Sequence, residues 1–187
     1  MAAKLGVEPC ALEAVRRVES NGDGFLPDGQ PKILFEGHVF WRELKKRGLN
    51  PENYVEGNKD ILYPKWTRQF YKGDAGEYAR LERARAIDRE AADRSTSWGA
   101  FQIMGNNYRA CGYKTLAAFV EAMGRSASEH LRAACGFIRT NKLDGALRDK
   151  DWEAFARGYN GPGYADNQYN VRLNKAYTDC VALRSKR

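Results

Sequence analysis

Leu12, Val15 and Val18 recur at helical spacing, so the stretch from Ala11 to Phe25 opens as one apolar helix face. Pro9 suits the first turn of that helix, because its missing N–H would be unpaired there anyway and its φ is already helical. Ser20-Asn21-Gly22-Asp23-Gly24 then stops it. Projected at about 100° per residue, Glu19 falls between Leu12 and Val15, inside the stripe rather than opposite it. Burial disfavours the charged form of a carboxyl group and raises its pKa. The helix therefore ends on a carboxylic acid where buried structure meets open space, the position a general acid needs. A structural Glu buried against an Arg would give the same pattern, and position alone does not separate the two.

The 187 residues suit one domain, and 43% hydrophobic with 12% aromatic residues argues for a folded globule rather than a disordered chain. We expect residues 1–187 to form a single domain that acts as a monomer. No apolar run approaches the ~18 residues of a membrane span, and nothing reads as a signal peptide. A net charge of +7 points to a polyanionic partner, nucleic acid or an anionic cell envelope. The four cysteines, Cys10, Cys111, Cys135 and Cys180, are far apart and read as buried free thiols. With His38 and His130 the only histidines, at no ligand-like spacing, no metal site and no cofactor are expected.

Along the chain, 21–31 reads as a turn-rich loop in which Asp23 and Asp28 are turn formers. A short extended element covers Lys32 to Glu36, and a helix from His38 to Arg47 turns Val39, Phe40 and Leu44 inward. Tyr54, Tyr63, Trp66, Phe70 and Tyr71 mark an irregular aromatic stretch that reads as core packing more than as binding surface. Ala75 to Arg94 is a charged helix whose charges read as a solvated face. Ser95 to Gly99 reads as a loop feeding an apolar helix from Ala100 to about Cys111. Thr115, Ser126 with Glu129, and Asp149 or Asp151 mark further helix starts. A last helix runs from about Asn167 to Leu183. The fold class is mainly α: a helical domain with a small extended or β element after the first helix.

Glu19-Ser20-Asn21, Ser97-Trp-Gly-Ala-Phe-Gln-Ile-Met-Gly105 and Tyr159-Asn160-Gly161-Pro162-Gly163-Tyr164 follow one another in an order that resembles the goose-type lysozyme and lytic transglycosylase superfamily. That resemblance implies a lysozyme-like fold, with Glu19 as catalytic acid, Gln102 contacting sugar and Tyr159 lying against the acid. A closer set is similar to the N-acetylmuramidase domain of phage endolysins. It comprises Glu19-Ser-x-Gly-x-Gly-Phe25, Pro31-Lys-Ile-Leu-Phe-Glu-x-His-x-Phe40, the Ser97–Gly105 run and Tyr159-Asn-Gly-Pro-Gly-Tyr164. Gly37 departs from it, standing where that family usually has Arg.

The residues fit glycosidic cleavage, in which a departing oxygen is protonated while an oxocarbenium-like centre is stabilised. Glu19 would supply the proton. Glu36 is the candidate second carboxylate, with Ser97 or Thr96 as alternatives for holding the water. Trp98 offers a ring to a pyranose or packs in the core, Gln102 can both donate to and accept from a sugar, and Tyr159, Asn160 and Tyr164 are candidates for the cleft. Hydrolysis of the β-1,4 bond between N-acetylmuramic acid and N-acetylglucosamine is the leading reading, with peptidoglycan glycan strands as partner. A lytic transglycosylase giving 1,6-anhydro products needs no second carboxylate. A basic nucleic-acid binder would explain the charge but leaves Glu19, Gln102 and the Tyr-Asn-Gly turn unused, so no nucleic-acid partner is expected. The basic end at Arg184, Lys186 and Arg187 adds a candidate contact to anionic envelope or lipopolysaccharide. Synthesis in a host cytoplasm followed by holin-type release to the wall completes the expectation.

Overall fold

The computed structural model describes residues 1–20, 22–161, 165 and 167–186. Two helices, α1 (Ala2–Leu5) and α2 (Pro9–Glu19), precede strand β1 (Ile33–Phe35), and α3 (Gly37–Lys46) and the long α4 (Asp74–Arg94) follow it. Strands β2 (Thr96–Trp98) and β3 (Ile103–Met104) complete a three-stranded antiparallel sheet in the order β1-β2-β3. Five helices then close the chain: α5 (Leu116–Met123), α6 (Ala127–Thr140), α7 (Asp144–Asp149), α8 (Trp152–Asn160) and α9 (Tyr169–Arg184). Among the described residues no helix is long and apolar enough to cross a membrane. The mainly helical expectation with its small extended element holds.

Helix starts follow the sequence signals. Pro9 opens α2, and the side chains of Thr115, Ser126 and Asp151 accept from the backbone N–H groups of Ala118, Glu129 and Ala154. Asp23 and Asp28 each accept from the backbone N–H two residues on, as turn formers do. Inward faces also agree: Leu12, Val15, Phe40 and Leu44 are buried in the common core.

Three local expectations need correction. The stretch from Ala100 is no α-helix, though Gly105–Asn107 makes a 3₁₀ turn. Ser97 pairs with Leu34 on one side and Met104 on the other, so the expected loop and apolar helix are a hairpin closed through Gly99 and Gln102, both at positive φ. A short apolar run has no period that separates strand from helix, and the pairing is long-range. The four-thiol expectation fails for Cys10 and Cys180, which form a disulfide, while Cys111 and Cys135 are free and buried. It joins the start of α2 to the end of α9, while Arg172 near the start of α9 donates to the carbonyl of Val18 at 3.4 Å, so the two helices pack antiparallel.

The charges of α4 are the third correction, because several are buried. Glu77 and Arg80 are 0% and 2% exposed and pair at 2.7 Å. Glu77 Oε2 also accepts from Phe35 N at 3.1 Å, while Arg80 Nη1 donates to Phe35 O at 3.0 Å. The remaining Arg80 donors reach the carbonyl of Asp60 at 2.8 and 3.2 Å, and Glu77 Oε1 accepts from Lys72 N at 2.6 Å. The pair thus occupies the outer edge of β1, where a further strand would otherwise sit. Asp88 breaks α4 with φ −156° and ψ 108°, and its side chain accepts from Ala91 N at 2.8 Å, capping the restart.

Gly37 now has a physical reason. A Cβ there would overlap the ring of Tyr63 and lie 2.7 Å from the carbonyl of Ile61, so this chain has no room for a side chain at that position.

Removing one member of a buried pair leaves the other charge uncompensated, whereas exposed helix pairs contribute little. Glu77→Ala should therefore lower unfolding stability by about 3–5 kcal/mol. Asp179→Ala, which breaks an exposed pair with Lys175, should cost no more than about 0.5 kcal/mol. Urea titration of the two variants checks the contrast.

Candidate active site

Glu19 is the last residue of α2 and is half-buried. Burial raises its carboxyl pKa above the ordinary value. A hydrogen bond from Asn160 and the charge of Arg172 work in the opposite direction. Asn160 Nδ2 donates to Glu19 Oε1 at 3.1 Å, from the last turn of α8. Arg172, which the sequence reading missed, comes from the first turn of α9. Nothing local in the sequence pairs it with a residue so far upstream.

Tyr159 lies near Glu19 but makes no hydrogen bond to it among the described residues. Its ring stacks on Phe155 at 5.4 Å and meets Phe137 edge-on at 5.5 Å, and its buried hydroxyl has no hydrogen-bond partner among the described residues. Burial first, then the nearby Glu19 charge, push that phenol well above its usual pKa. Along α8, Phe155 and Tyr159 are one turn apart and share the apolar face, which leaves Asn160 to turn toward the carboxyl group. Tyr164 lies outside the described residues.

Ser97 and Gln102 come together across the hairpin. Ser97 Oγ donates to Gln102 Oε1 at 2.9 Å, and Gln102 Nε2 donates to the carbonyls of Gly99 at 2.8 Å and Lys32 at 3.3 Å. The amide thus fastens the hairpin to the start of β1. Trp98 is 2% exposed, with its indole N–H on the carbonyl of Asp93 at 3.2 Å and Arg85 over its ring at 5.9 Å. Of the two readings of this ring, sugar platform or core packing, its burial favours core packing, because strand alternation turns Ser97 and Trp98 to opposite faces.

Glu36 caps α3 and sits in its own cluster. Its Oε2 accepts from Tyr71 Oη at 2.8 Å, and His38 Nδ1 lies 3.2 Å away. Burial, and then the Glu36 carboxylate, push the Tyr71 hydroxyl well above its usual pKa, so it stays a proton donor. Burial lowers the His38 pKa, with Arg42 adding to that effect and Glu36 opposing it. Among the described residues, Glu19 and Glu36 share no hydrogen-bond partner.

The loop after Glu19 is pinned by His130, a second residue the sequence reading left unused. Its ring stacks on Phe25 at 4.8 Å and fills the space a side chain at Gly24 or Gly99 would need. Ala100 N donates to His130 Nδ1 at 3.1 Å, so Nε2 carries the proton and donates to Met123 O at 2.7 Å. The bond from Ala100 requires an unprotonated Nδ1 and therefore the neutral ring.

A half-buried carboxylic acid at a helix end, beside a small sheet in a mainly helical fold, is the layout of a lysozyme-like glycosidase. The family model for N-acetylmuramidase matches residues 8–180, and the chain belongs to that family, a group of glycoside hydrolases. Among solved structures, the crystal structure of Burkholderia AP3 phage endolysin is similar, with 44% identity and a TM-score of 0.87 over 95% of this chain and 67% of that one. A search of curated protein sequences finds no match.

Two titrations follow from this geometry. Asn160→Ala removes a contact that favours the Glu19 carboxylate, so the Glu19 pKa should rise further, as followed by NMR of the side-chain carboxyl. For His130, burial holds the folded pKa below 6.5, so the unfolded chain takes up its proton first. Its contribution to stability is therefore complete above about pH 6.5 and is lost as pH falls below that value toward the folded pKa, with a limiting slope of about 1.4 kcal/mol per pH unit. His130→Gln should flatten the dependence of the urea midpoint on pH between 7.5 and 5.

Proposed function

We propose that this chain is an endolysin-type peptidoglycan hydrolase that cleaves the β-1,4 bond between N-acetylmuramic acid and N-acetylglucosamine, with Glu19 as general acid. The observation that carries this is the Glu19 carboxyl itself: half-buried, raised in pKa by that burial, and held at Oε1 by Asn160. A carboxyl group in that state keeps its proton nearer neutral pH and can give it to the departing glycosidic oxygen. The likeness to a phage endolysin supports the wall as the place of action. A net charge of +7 supports approach to an anionic envelope.

Hydrolysis also needs a group to activate water, and Glu36 is our assignment. Tyr71 fixes one of its oxygens and leaves the other available. Ser97, engaged with Gln102, is the alternative holder of the water. If neither acted, the muramic acid 6-hydroxyl would attack instead, as in a lytic transglycosylase.

Glu19→Gln should lower peptidoglycan cleavage by about 10²–10⁴-fold, the range for loss of a positioned acid, without loss of fold. Glu36→Gln should fall further than Ser97→Ala. Mass spectrometry of digested wall should show reducing-end muramic acid. Cleavage by Glu19→Gln at the parent rate would overturn the acid assignment, and 1,6-anhydro products would replace hydrolysis with transglycosylation.

A further inference from the structure

We infer that Trp66 is a stacking platform for a sugar ring of the glycan strand, a substrate-positioning residue outside the set described above. Of the four tryptophans, Trp41, Trp98 and Trp152 are buried, whereas Trp66 is 58% exposed. An indole left in water gives up a large apolar area, and its flat face suits the C–H face of a pyranose.

Its surroundings tie it to the candidate site rather than to open surface. The Trp66 indole comes close enough to the Tyr71 hydroxyl to draw the Tyr71 pKa downward, against the upward push of burial and Glu36. Tyr71 in turn donates to Glu36 Oε2 at 2.8 Å, and His38 stands on the same oxygen at 3.2 Å. An exposed ring is thus one residue removed from the carboxylate assigned to water activation. The guanidinium of Arg68 lies 5.5 Å from the Trp66 ring centroid, a cation–π contact that restrains one face and leaves the other for a ligand. Beneath this, Tyr63 packs on Phe70 at 5.1 Å, and Ile61 and Leu62 are buried, so the irregular segment is fixed to the core. A platform held in place beforehand loses little freedom on binding. Lys65 and Lys72 are also exposed on this segment and suit the carboxylate of a free muramic acid or of the peptide attached to it.

This inference rests on the assignment of Glu36 to the cleft and of peptidoglycan as substrate. Its test reads binding separately from cleavage. In a Glu19→Gln background, a soluble tetrasaccharide of alternating N-acetylglucosamine and N-acetylmuramic acid should change tryptophan fluorescence. Adding Trp66→Ala should abolish that change and raise Kd at least 10-fold by calorimetry, while Trp66→Phe should stay within about 3-fold. In the parent background, Trp66→Ala should raise KM and leave kcat unchanged. An unchanged Kd in Trp66→Ala would overturn the platform. So would a Trp66 fluorescence response to vesicles of anionic phospholipid without one to the tetrasaccharide, which would make the ring a lipid contact. Failure of the acid assignment would appear differently, as cleavage by the Glu19→Gln protein with the Trp66 effect on Kd intact.

Discussion

The outer edge of β1 is closed by two charged side chains rather than by another strand, and much of the molecule is placed by that contact. A strand edge left open in a buried setting would carry an unpaired N–H and carbonyl at Phe35. Glu77 and Arg80 satisfy both, and Arg80 extends the same network to the carbonyl of Asp60. One ion pair therefore registers α4 against β1 and holds the 60–73 segment over them. The pair is retained here with every nearby hydrogen-bonding group engaged, the condition under which buried charges are tolerated. From the strand so fixed, Lys32 offers its carbonyl to Gly99 and Gln102, and Glu36 begins α3 beside Tyr71.

The site draws on elements distant in sequence, each contributing for a local reason. Glu19 arrives at the end of an amphipathic helix, Asn160 at the end of another, and Arg172 at the start of α9. Asn160 and Arg172 oppose the effect of burial on the Glu19 carboxyl, so its proton affinity is a balance and not the product of desolvation alone. Gln102 adopts a left-handed backbone at the hairpin tip, where its amide replaces the missing ladder contacts. The same conformation that closes the turn also commits its side chain to the protein.

What was legible in the sequence is what depends on neighbours within a turn or two. The span of α2, the capping residues Thr115, Ser126 and Asp151, the turn-forming aspartates and the position of Glu19 on its helix all belong to that class. The three strands were only partly so: β1 shows as an extended run, but β2 and β3 depend on a register with Leu34 that no local pattern encodes. Charge patterning misled in α4, because Glu77 and Arg80 have the spacing of an ordinary exposed pair and differ only in what packs on them. The disulfide, the burial of Trp98 and the choice of Asn160 over Tyr159 as partner of Glu19 likewise follow from tertiary packing.

His130 and Glu19 stand on either side of one short loop and make opposite demands on the proton. In the role proposed for it, Glu19 can give a proton only while it keeps one, and burial helps it to do so. The imidazole accepts from Ala100 only while its Nδ1 lacks one. Raising the pH disarms the first, and lowering it loosens the second together with the loop that carries Gly24 and Phe25. With Glu19 as the proposed acid, the pH interval in which the protein is both armed and held together is bounded on each side by a different residue. Engineering that widens it on the acid side begins at His130 rather than at Glu19.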